Sequence, residues 1–165
     1  MMLSRSLTPT ERVLARSADL EHLLTGALED LGISAGAVNC RLTGTREMIR
    51  LNRAFSGQDA STDVLAFPAA ETAAGFHFVL PPGSVAELGD IVISVPDALG
   101  NSPQRPVEEL RLLAVHGLLH LLGHDHQGAE EARLMTVETR RLLRRAASRR
   151  GGAAPRVPKL VPAAR

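Results

Sequence analysis

Aromatic side chains are scarce in this sequence of 165 residues, which contains no tryptophan, no tyrosine and four phenylalanines. A protein that recognises nucleic-acid bases chiefly by stacking them on a row of aromatic rings would need more of these residues. An extended stacking platform is therefore disfavoured. Hydrophobic residues still make up 44% of the chain, so the sequence predicts one ordinary domain with an aliphatic core.

Cysteines, a signal segment and long apolar runs are lacking as well. The single cysteine, Cys40, excludes an internal disulfide and is typical of a reducing compartment. The first residues contain no apolar stretch of the kind found in secretory signals. The longest apolar run, Leu112–Gly123, is too short to cross a membrane and contains two histidines. The sequence therefore predicts a soluble, cytoplasmic protein with no membrane partner.

Charge is unevenly distributed, although the net charge is only +1. Residues 1–138 carry ten arginines and all 18 acidic residues, a net charge of −8. Residues 139–165 carry eight arginines, one lysine and no acidic residue, a net charge of +9. An acidic body followed by a basic segment suggests an anionic partner such as nucleic acid. A merely solvated tail is an equally good interpretation of this segment.

Helix and strand patterns alternate irregularly along the chain, which predicts an α+β domain. Apolar residues at helical spacing predict helices over residues 19–31, 45–55, 106–122 and 129–145. Short runs rich in Val, Ile and Leu predict strands over residues 37–42, 63–67 and 89–95, with 76–80 as a further strand of the same sheet. The helix that begins at Pro106 is apolar nearly all round and should be buried.

Composition also divides the chain into three segments. Residues 1–17 are polar, contain Pro9 and are interpreted as a flexible arm. Residues 18–147 form a single domain. Residues 148–165 contain two adjacent glycines and three prolines, which predicts a disordered basic tail.

Four histidines lie within the eleven residues HGLLHLLGHDH, from His116 to His126. His116 and His120 are four residues apart, so their imidazoles project from one face of the predicted helix. Gly123 lets the chain turn back, so that His126 can supply a third metal ligand. Three neutral imidazoles with an open fourth position are typical of a catalytic zinc ion rather than a structural one. Such an ion lowers the pKa of its bound water to about 7.

Other interpretations of the motif are less favourable. A single histidine on an apolar helix is usually a packed core residue, but several buried imidazoles would each need a partner. The spacing is also that of metzincin zinc peptidases, yet Gly117 stands where those enzymes have the glutamate that acts as general base. His124 is interpreted as a bystander, and Asp125 either orients a ligand imidazole or faces solvent.

The histidine motif resembles the signature of the YbeY family of bacterial metal-dependent endoribonucleases. Further blocks agree in order and spacing: Leu51-Asn52 followed by STDVLAFP over residues 61–68, LGDIVIS over 88–94, and MTVE over 135–138 with Leu142. The resemblance covers roughly residues 37–145. Several ordered blocks around a rare histidine pattern make the match specific.

The resemblance implies a small mixed β-sheet flanked by helices, with a zinc-bearing central helix, a turn and a C-terminal helix. Residues 18–147 would then be a single metallo-endoribonuclease domain that holds one Zn²⁺ through His116, His120 and His126. The implied activity is cleavage of single-stranded RNA, not DNA, in 3′-end maturation of small-subunit ribosomal RNA and in ribosome quality control. Thr62-Asp63 and Gly89-Asp90 would lie on strands near the cleft, although turn chemistry at strand ends explains both pairs more simply.

The sequence departs from the family pattern at two positions. Ser56 occupies a position where the family usually has an arginine that is implicated in activity, and Arg53, one helical turn earlier, is the candidate here for positioning a phosphate. Ala66 stands where the family usually has serine, a milder change. No residue is assigned as general base, because the reacting water is expected on the metal. A non-catalytic ribosome-binding module with a structural zinc ion stays as an alternative, followed by a metzincin-like peptidase.

Overall fold

The fold is built on a small mixed β-sheet. The computed structural model describes residues 1–33, 35–69, 85–124 and 128–151. The strands within these ranges are β1 (Met2–Leu3), β2 (Gly36–Thr43), β3 (Val64–Pro68) and β4 (Ala86–Ser94), in the spatial order β1-β2-β4-β3. Strand β2 is parallel to both β1 and β4, whereas β3 is antiparallel to β4. The predicted strand over residues 76–80 lies outside the described residues.

Helices flank this sheet. They are α1 (Pro9–Ala18), α2 (Leu20–Asp30), α3 (Thr45–Ser56), α4 (Val95–Asn101), α5 (Pro106–Leu121) and α6 (Ala129–Arg149). The α+β class is confirmed, and the helices predicted from apolar spacing are present with ends that differ by a few residues. Helix α4 was not predicted. It begins at Val95, where a strand was expected to end, because Pro96 is favoured in the first turn of a helix.

Helix α5 lies at the centre of the core, as its apolar composition predicts. Leu110, Ala114, Leu118 and Leu119 have no exposed surface. Pro106 begins the helix and two glutamates lie in its first turn, where carboxylates interact favourably with the helix dipole. The helix contacts strands β3 and β4 and the helices on either side. Its C-terminal half therefore has a fixed position relative to the sheet.

The N-terminal segment is folded, so the prediction of a flexible arm over residues 1–17 is wrong. Strand β1 pairs with β2, and Leu7 and Ala15 are buried. Helix α1 begins with a capping box, in which the Thr8 hydroxyl accepts from the Glu11 N–H and the Glu11 carboxylate accepts from the Thr8 N–H. Polar residues thus start this helix, and a few small apolar residues hold it against the core.

The C-terminal helix is longer than predicted, which moves the start of the expected tail. Helix α6 continues to Arg149, because Arg145 and Arg149 both donate to the buried carboxylate of Asp30 at the end of α2. Arg150 pairs with Asp19. Residues 148–151 therefore belong to the folded part, which corrects the predicted tail boundary at 148. Residues 152–165 lie outside the described residues.

Candidate metal site and cleft

Two imidazoles face each other on helix α5. The Nε2 atoms of His116 and His120 lie 3.2 Å apart, and their ring planes are nearly perpendicular at 88°. Both side chains are half-buried. The i,i+4 spacing produces this arrangement, because residues one turn apart on a helix project from the same face.

The spacing of these two nitrogens fits a shared metal ion. Zinc binds histidine nitrogens at about 2.0–2.1 Å in tetrahedral geometry, which places two ligand nitrogens about 3.3 Å apart. A hydrogen bond between one protonated and one unprotonated Nε2 has a similar length. Residues 1–33, 35–69, 85–124 and 128–151 contain no group of three or more His, Cys, Asp or Glu residues arranged to hold a metal. The third predicted ligand, His126, lies outside those ranges, as does Asp125, so the three-histidine set stays a prediction.

A cleft of about 420 Å³ opens beside the histidine pair. One wall is helix α5, with His116, Gly117 and His120. The opposite wall is strand β3 and the residues before it: Thr62, Asp63, Val64, Leu65, Ala66 and Pro68. The structure therefore brings the Thr62-Asp63 pair to the cleft, where the family resemblance implied it.

Gly89 and Asp90 lie on β4, opposite the last two residues of β3, and are not among the residues that line the cleft. Gly89 has a φ of +130° and pairs with Pro68 next to a register shift between β2 and β4. A Cβ atom at this position would overlap the carbonyl oxygen of Phe67. Gly89 therefore has a structural role, although it lies within β4 at an irregularity of the sheet and not in the strand-end turn that was predicted. Asp90 is exposed and lies opposite Phe67 in the sheet.

Helix α4 holds the Asp63 carboxylate in a polar cluster that the sequence did not reveal. Asn101 donates to Asp63 Oδ2 at 2.9 Å. Glu109 lies nearby, and burial, together with the negative charge of Asp63, raises its pKa, which a hydrogen bond from Asn101 partly offsets. Glu109 precedes His116 by seven residues, two helical turns along the same face. That spacing is the one sequence signal that could have placed Glu109 near the site.

A second set of hydrogen bonds fixes the loop that leads into the cleft wall. Asn52 is buried on α3 and donates to the carbonyl oxygen of Ala60 at 2.9 Å. The Ser61 hydroxyl donates to the Asp97 carboxylate at 2.7 Å, and Ser94 bonds to the same carboxylate. These contacts position the Thr62-Asp63 segment from three separate elements. The bond between Ser61 and Asp97 joins residues 36 positions apart in sequence, so no local pattern predicts it.

Arg53 does not reach the cleft. Its side chain is 70% exposed, and its guanidinium lies 3.9 Å from the Asp59 carboxylate. Ser56, where the family has arginine, is exposed at the end of α3, just before Gly57 in the left-handed region. The phosphate-positioning role of Arg53 therefore stays a prediction, and no described side chain of the cleft is an arginine or a lysine.

His124 lies beyond the end of α5, where its N–H donates to the Leu119 carbonyl. The Glu138 pKa is lowered chiefly by the hydrogen bond from Arg141, with a smaller contribution from His124. His124 therefore lies near helix α6 and is not among the cleft residues, and its interpretation as a bystander to the metal site stays a prediction.

Within the described ranges, none of the helices is both long enough and apolar enough to span a bilayer. The chain is similar in fold to a Thermotoga maritima protein whose solution structure is known. The TM-score is 0.52 at 24% identity, with 90% of this chain and 91% of that chain covered. At this identity the likeness shows the fold alone.

Sequence comparison identifies closer relatives. The family model described as Endoribonuclease YbeY matches residues 10–147. The Endoribonuclease YbeY of Thermus thermophilus is 43% identical over 115 residues, which cover 68% of this chain and 78% of the relative. The Bacillus licheniformis protein of the same name is 36% identical over 137 residues, which cover 79% of this chain and 85% of the relative. These matches support an endoribonuclease role, and the chain belongs to the YbeY endoribonuclease family.

Proposed function

We propose that this protein is a zinc-dependent endoribonuclease, specific for single strands, that acts in the cytoplasm on small-subunit ribosomal RNA. Its role is maturation of the 3′ end of that RNA and ribosome quality control, with the ribosome as partner. The observation that supports this most directly is the His116–His120 pair. The two Nε2 atoms lie 3.2 Å apart on the wall of an open cleft, in a chain that belongs to an endoribonuclease family.

His116 and His120 would hold the zinc ion from helix α5, with His126 as the third ligand. When bound, zinc supplies a Lewis acid and lowers the pKa of a coordinated water to about 7. Asp63 lies on the opposite wall, but its carboxylate accepts a hydrogen bond from Asn101, which holds it in place. The hydrogen bonds of Asn52 and Asp97 keep the loop before β3 in one position, so that a strand of RNA meets a preformed wall.

The structure strengthens the argument against a peptidase. In the peptidase motif the residue after the first histidine is the general base, and here that residue is Gly117. A Cβ atom at position 117 would lie 2.7 Å from Ile91 Cγ2, closer than packed carbon atoms come. Helix α5 rests on strand β4 at this point, so a glutamate would require the sheet to move.

Cleavage assays with matched histidine variants test the proposal. The full-length protein is incubated with single-stranded and duplex RNA, and the zinc content of each protein is measured. We expect the wild type to contain one zinc ion and to cut only the single strand, whereas His120→Ala loses both the zinc and the cleavage. His22→Ala is the control, because His22 is an exposed histidine on α2 that is not part of the motif. Full cleavage by zinc-free His120→Ala protein would contradict the proposal.

The substrate is tested separately on precursor small-subunit ribosomal RNA. We expect the wild type to shorten the 3′ end and His120→Ala to leave it extended, as read by mapping of the RNA ends. Random cleavage along the precursor by the wild type would be consistent with the proposed nuclease activity but would contradict the proposed role in 3′-end maturation.

A further inference from the structure

One edge of strand β3 carries backbone groups that no other described strand uses. Strand β3 is the last in the order β1-β2-β4-β3, so within residues 1–33, 35–69, 85–124 and 128–151 only β4 pairs with it. The unpaired edge of a strand presents a row of N–H and C=O groups that can bind another chain. We refer to the side of β3 that faces away from β4 as the outer edge.

The register of the sheet decides which groups lie on the outer edge. The Ser94 N–H on β4 donates to the Asp63 carbonyl at 2.8 Å, so these two residues form a hydrogen-bonded pair. Such pairs alternate with non-hydrogen-bonded pairs along an antiparallel ladder. The bond from the Ala69 N–H to β4, six residues further on, has the same alternation. The N–H and C=O groups of Val64 and Ala66 therefore point away from β4 and lie on the outer edge.

The outer edge lies in the histidine cleft. Val64 and Ala66 line the cleft together with His116 and His120, and both are partly exposed. Pro68 is the next residue of the same alternation, and it lines the cleft as well. Proline has no N–H and is found in sheets at edge positions that face away from the neighbouring strand, so Pro68 agrees with this orientation. The edge thus presents two N–H donors, those of Val64 and Ala66, beside the imidazoles.

The charge of the cleft makes neutral donors important for a phosphate. None of the described residues that line the cleft is an arginine or a lysine, and Asp63 adds a carboxylate. A phosphodiester in this cleft must therefore be held by the proposed metal and by uncharged groups. A backbone N–H that donates to a phosphate oxygen forms a charge-assisted hydrogen bond, which is stronger than a neutral one. The carbonyls of the outer edge face the same space, and the 2′-hydroxyls of RNA can donate to them.

We infer that the outer edge of β3 positions the RNA strand, with the N–H groups of Val64 and Ala66 donating to phosphate oxygens in the histidine cleft. The two groups are two residues apart, about 7 Å along the strand, so each can hold a different phosphate oxygen. The inference rests on the proposed endoribonuclease function. It adds the groups that hold the substrate opposite the proposed metal, and it makes Val64 and Ala66 positioning residues that act through the backbone.

Proline at position 66 tests the inference, because it removes the N–H and leaves the hydrogen bonds between β3 and β4 in place. Zinc-loaded full-length protein is mixed rapidly with a fluorescent single-stranded RNA, so that binding is recorded before cleavage. A parallel set of RNAs carries one uncharged methylphosphonate linkage, placed at each position of the strand in turn. We expect Ala66→Pro to weaken binding of the unmodified RNA about 10- to 100-fold, the effect typical of one lost hydrogen bond to a charged group.

The coupling between the two changes distinguishes a hydrogen bond from a steric effect. At one linkage, the methylphosphonate should weaken binding to the wild type by a similar factor but have little further effect on Ala66→Pro, because the donor is already absent. Ala66→Gly is the matched variant, since it keeps the N–H and should keep the sensitivity to that linkage. If Ala66→Pro lowers the affinity for every RNA by the same factor, the proline only blocks the cleft and the inference is overturned.

A second variant and the unfolding free energies guard against a change in the fold. If Ala66→Pro does not fold, Val64→Pro takes its place, with the coupling expected at a neighbouring linkage. Wild-type affinity for the unmodified RNA in a folded proline variant would overturn the inference. That result would favour an extended peptide, the other chain that pairs with the edge of a strand.

Binding and cleavage report on the two proposals separately. If the wild type cuts RNA but no linkage is coupled to the proline variant, the nuclease function stands and the contact with the outer edge fails. If the coupling is present but the zinc-loaded wild type cuts nothing, the contact stands and the nuclease function fails.

Discussion

Gly117 shows how one residue connects packing to chemistry. Because Gly117 has no side chain, helix α5 can pack directly against Ile91. This contact helps to place His116 and His120, on the same helix, at the cleft. Glycine within a helix costs about 0.5–1 kcal/mol relative to alanine. The close approach to the sheet is the structural reason for a glycine here.

Alanine substitutions at two helical glycines test this role. Gly117→Ala should destabilise the protein by about 1–3 kcal/mol, because the added methyl group overpacks the contact with Ile91. Gly100→Ala is the matched control, since open space surrounds Gly100 on α4. There the higher helix propensity of alanine should stabilise the fold slightly. Urea unfolding of both variants measures the difference, and equal stabilisation by both would show that the contact at 117 is not tight.

Glu109 gives a pH dependence with a defined sign. Burial, with Asp63 nearby, raises its pKa above the ordinary value of 4.5, so the folded protein holds this proton more tightly than the unfolded chain. As the pH rises through the raised pKa, ionisation of Glu109 in the folded protein therefore lowers the free energy of unfolding. We expect Glu109→Gln to be more stable than the wild type at pH 7.5, with the difference vanishing below pH 4.5. Unfolding free energies at the two pH values test this, and a glutamine variant less stable at pH 7.5 would contradict it.

At the scale of the elements, apolar periodicity predicted the helices and strands whose formation depends on local sequence. Helices α2, α3, α5 and α6 and strands β2, β3 and β4 follow from repeated apolar positions. Helix α1 does not, because its polar start depends on the reciprocal hydrogen bonds of Thr8 and Glu11. The same distinction holds at the cleft. The i,i+4 spacing places His116 beside His120, but the bond from Asn101 to Asp63 joins residues 38 apart and depends on the packed fold.

Helix α6 is held to α2 by a carboxylate that two arginines share. The Asp30 side chain is 8% exposed and accepts from Arg145 at 3.1 Å and Arg149 at 2.6 Å. Asp30→Asn should cost about 1.5–3 kcal/mol, the range for hydrogen bonds to a charged group, and should speed amide hydrogen exchange in the last turns of α6. Glu130→Gln, which breaks a fully exposed pair with Arg133, is the control and should change little. Equal exchange rates in the two variants would show that Asp30 does not hold the helix end.

For the molecule as a whole, the basic C-terminal segment contributes to the fold as well as to the charge. Four of its arginines form ion pairs with acidic residues: Arg141, Arg145, Arg149 and Arg150. Much of its charge belongs to contacts that complete the fold. This weakens the alternative of a non-catalytic module in which the whole segment grips RNA, because arginines bound to carboxylates contribute less to phosphate binding. It leaves the three basic residues beyond Gly151, namely Arg156, Lys159 and Arg165, as the charge available to a tail.

Removal of residues 152–165 tests what that remaining charge does. Each phosphate neutralised on a single strand contributes about 0.7 to the slope of log affinity against log salt, so three charges contribute about 2. If the tail binds RNA, truncation lowers the slope by that amount, and the unfolding free energies of both proteins are measured as a control for the fold. Arg50→Gln on α3 is the parallel variant, because Arg50 is exposed, and it is expected to lower the slope by about 0.7 if an RNA phosphate contacts this arginine. If truncation leaves the slope unchanged and Arg50→Gln lowers it, phosphate binding is assigned to α3 and not to the tail.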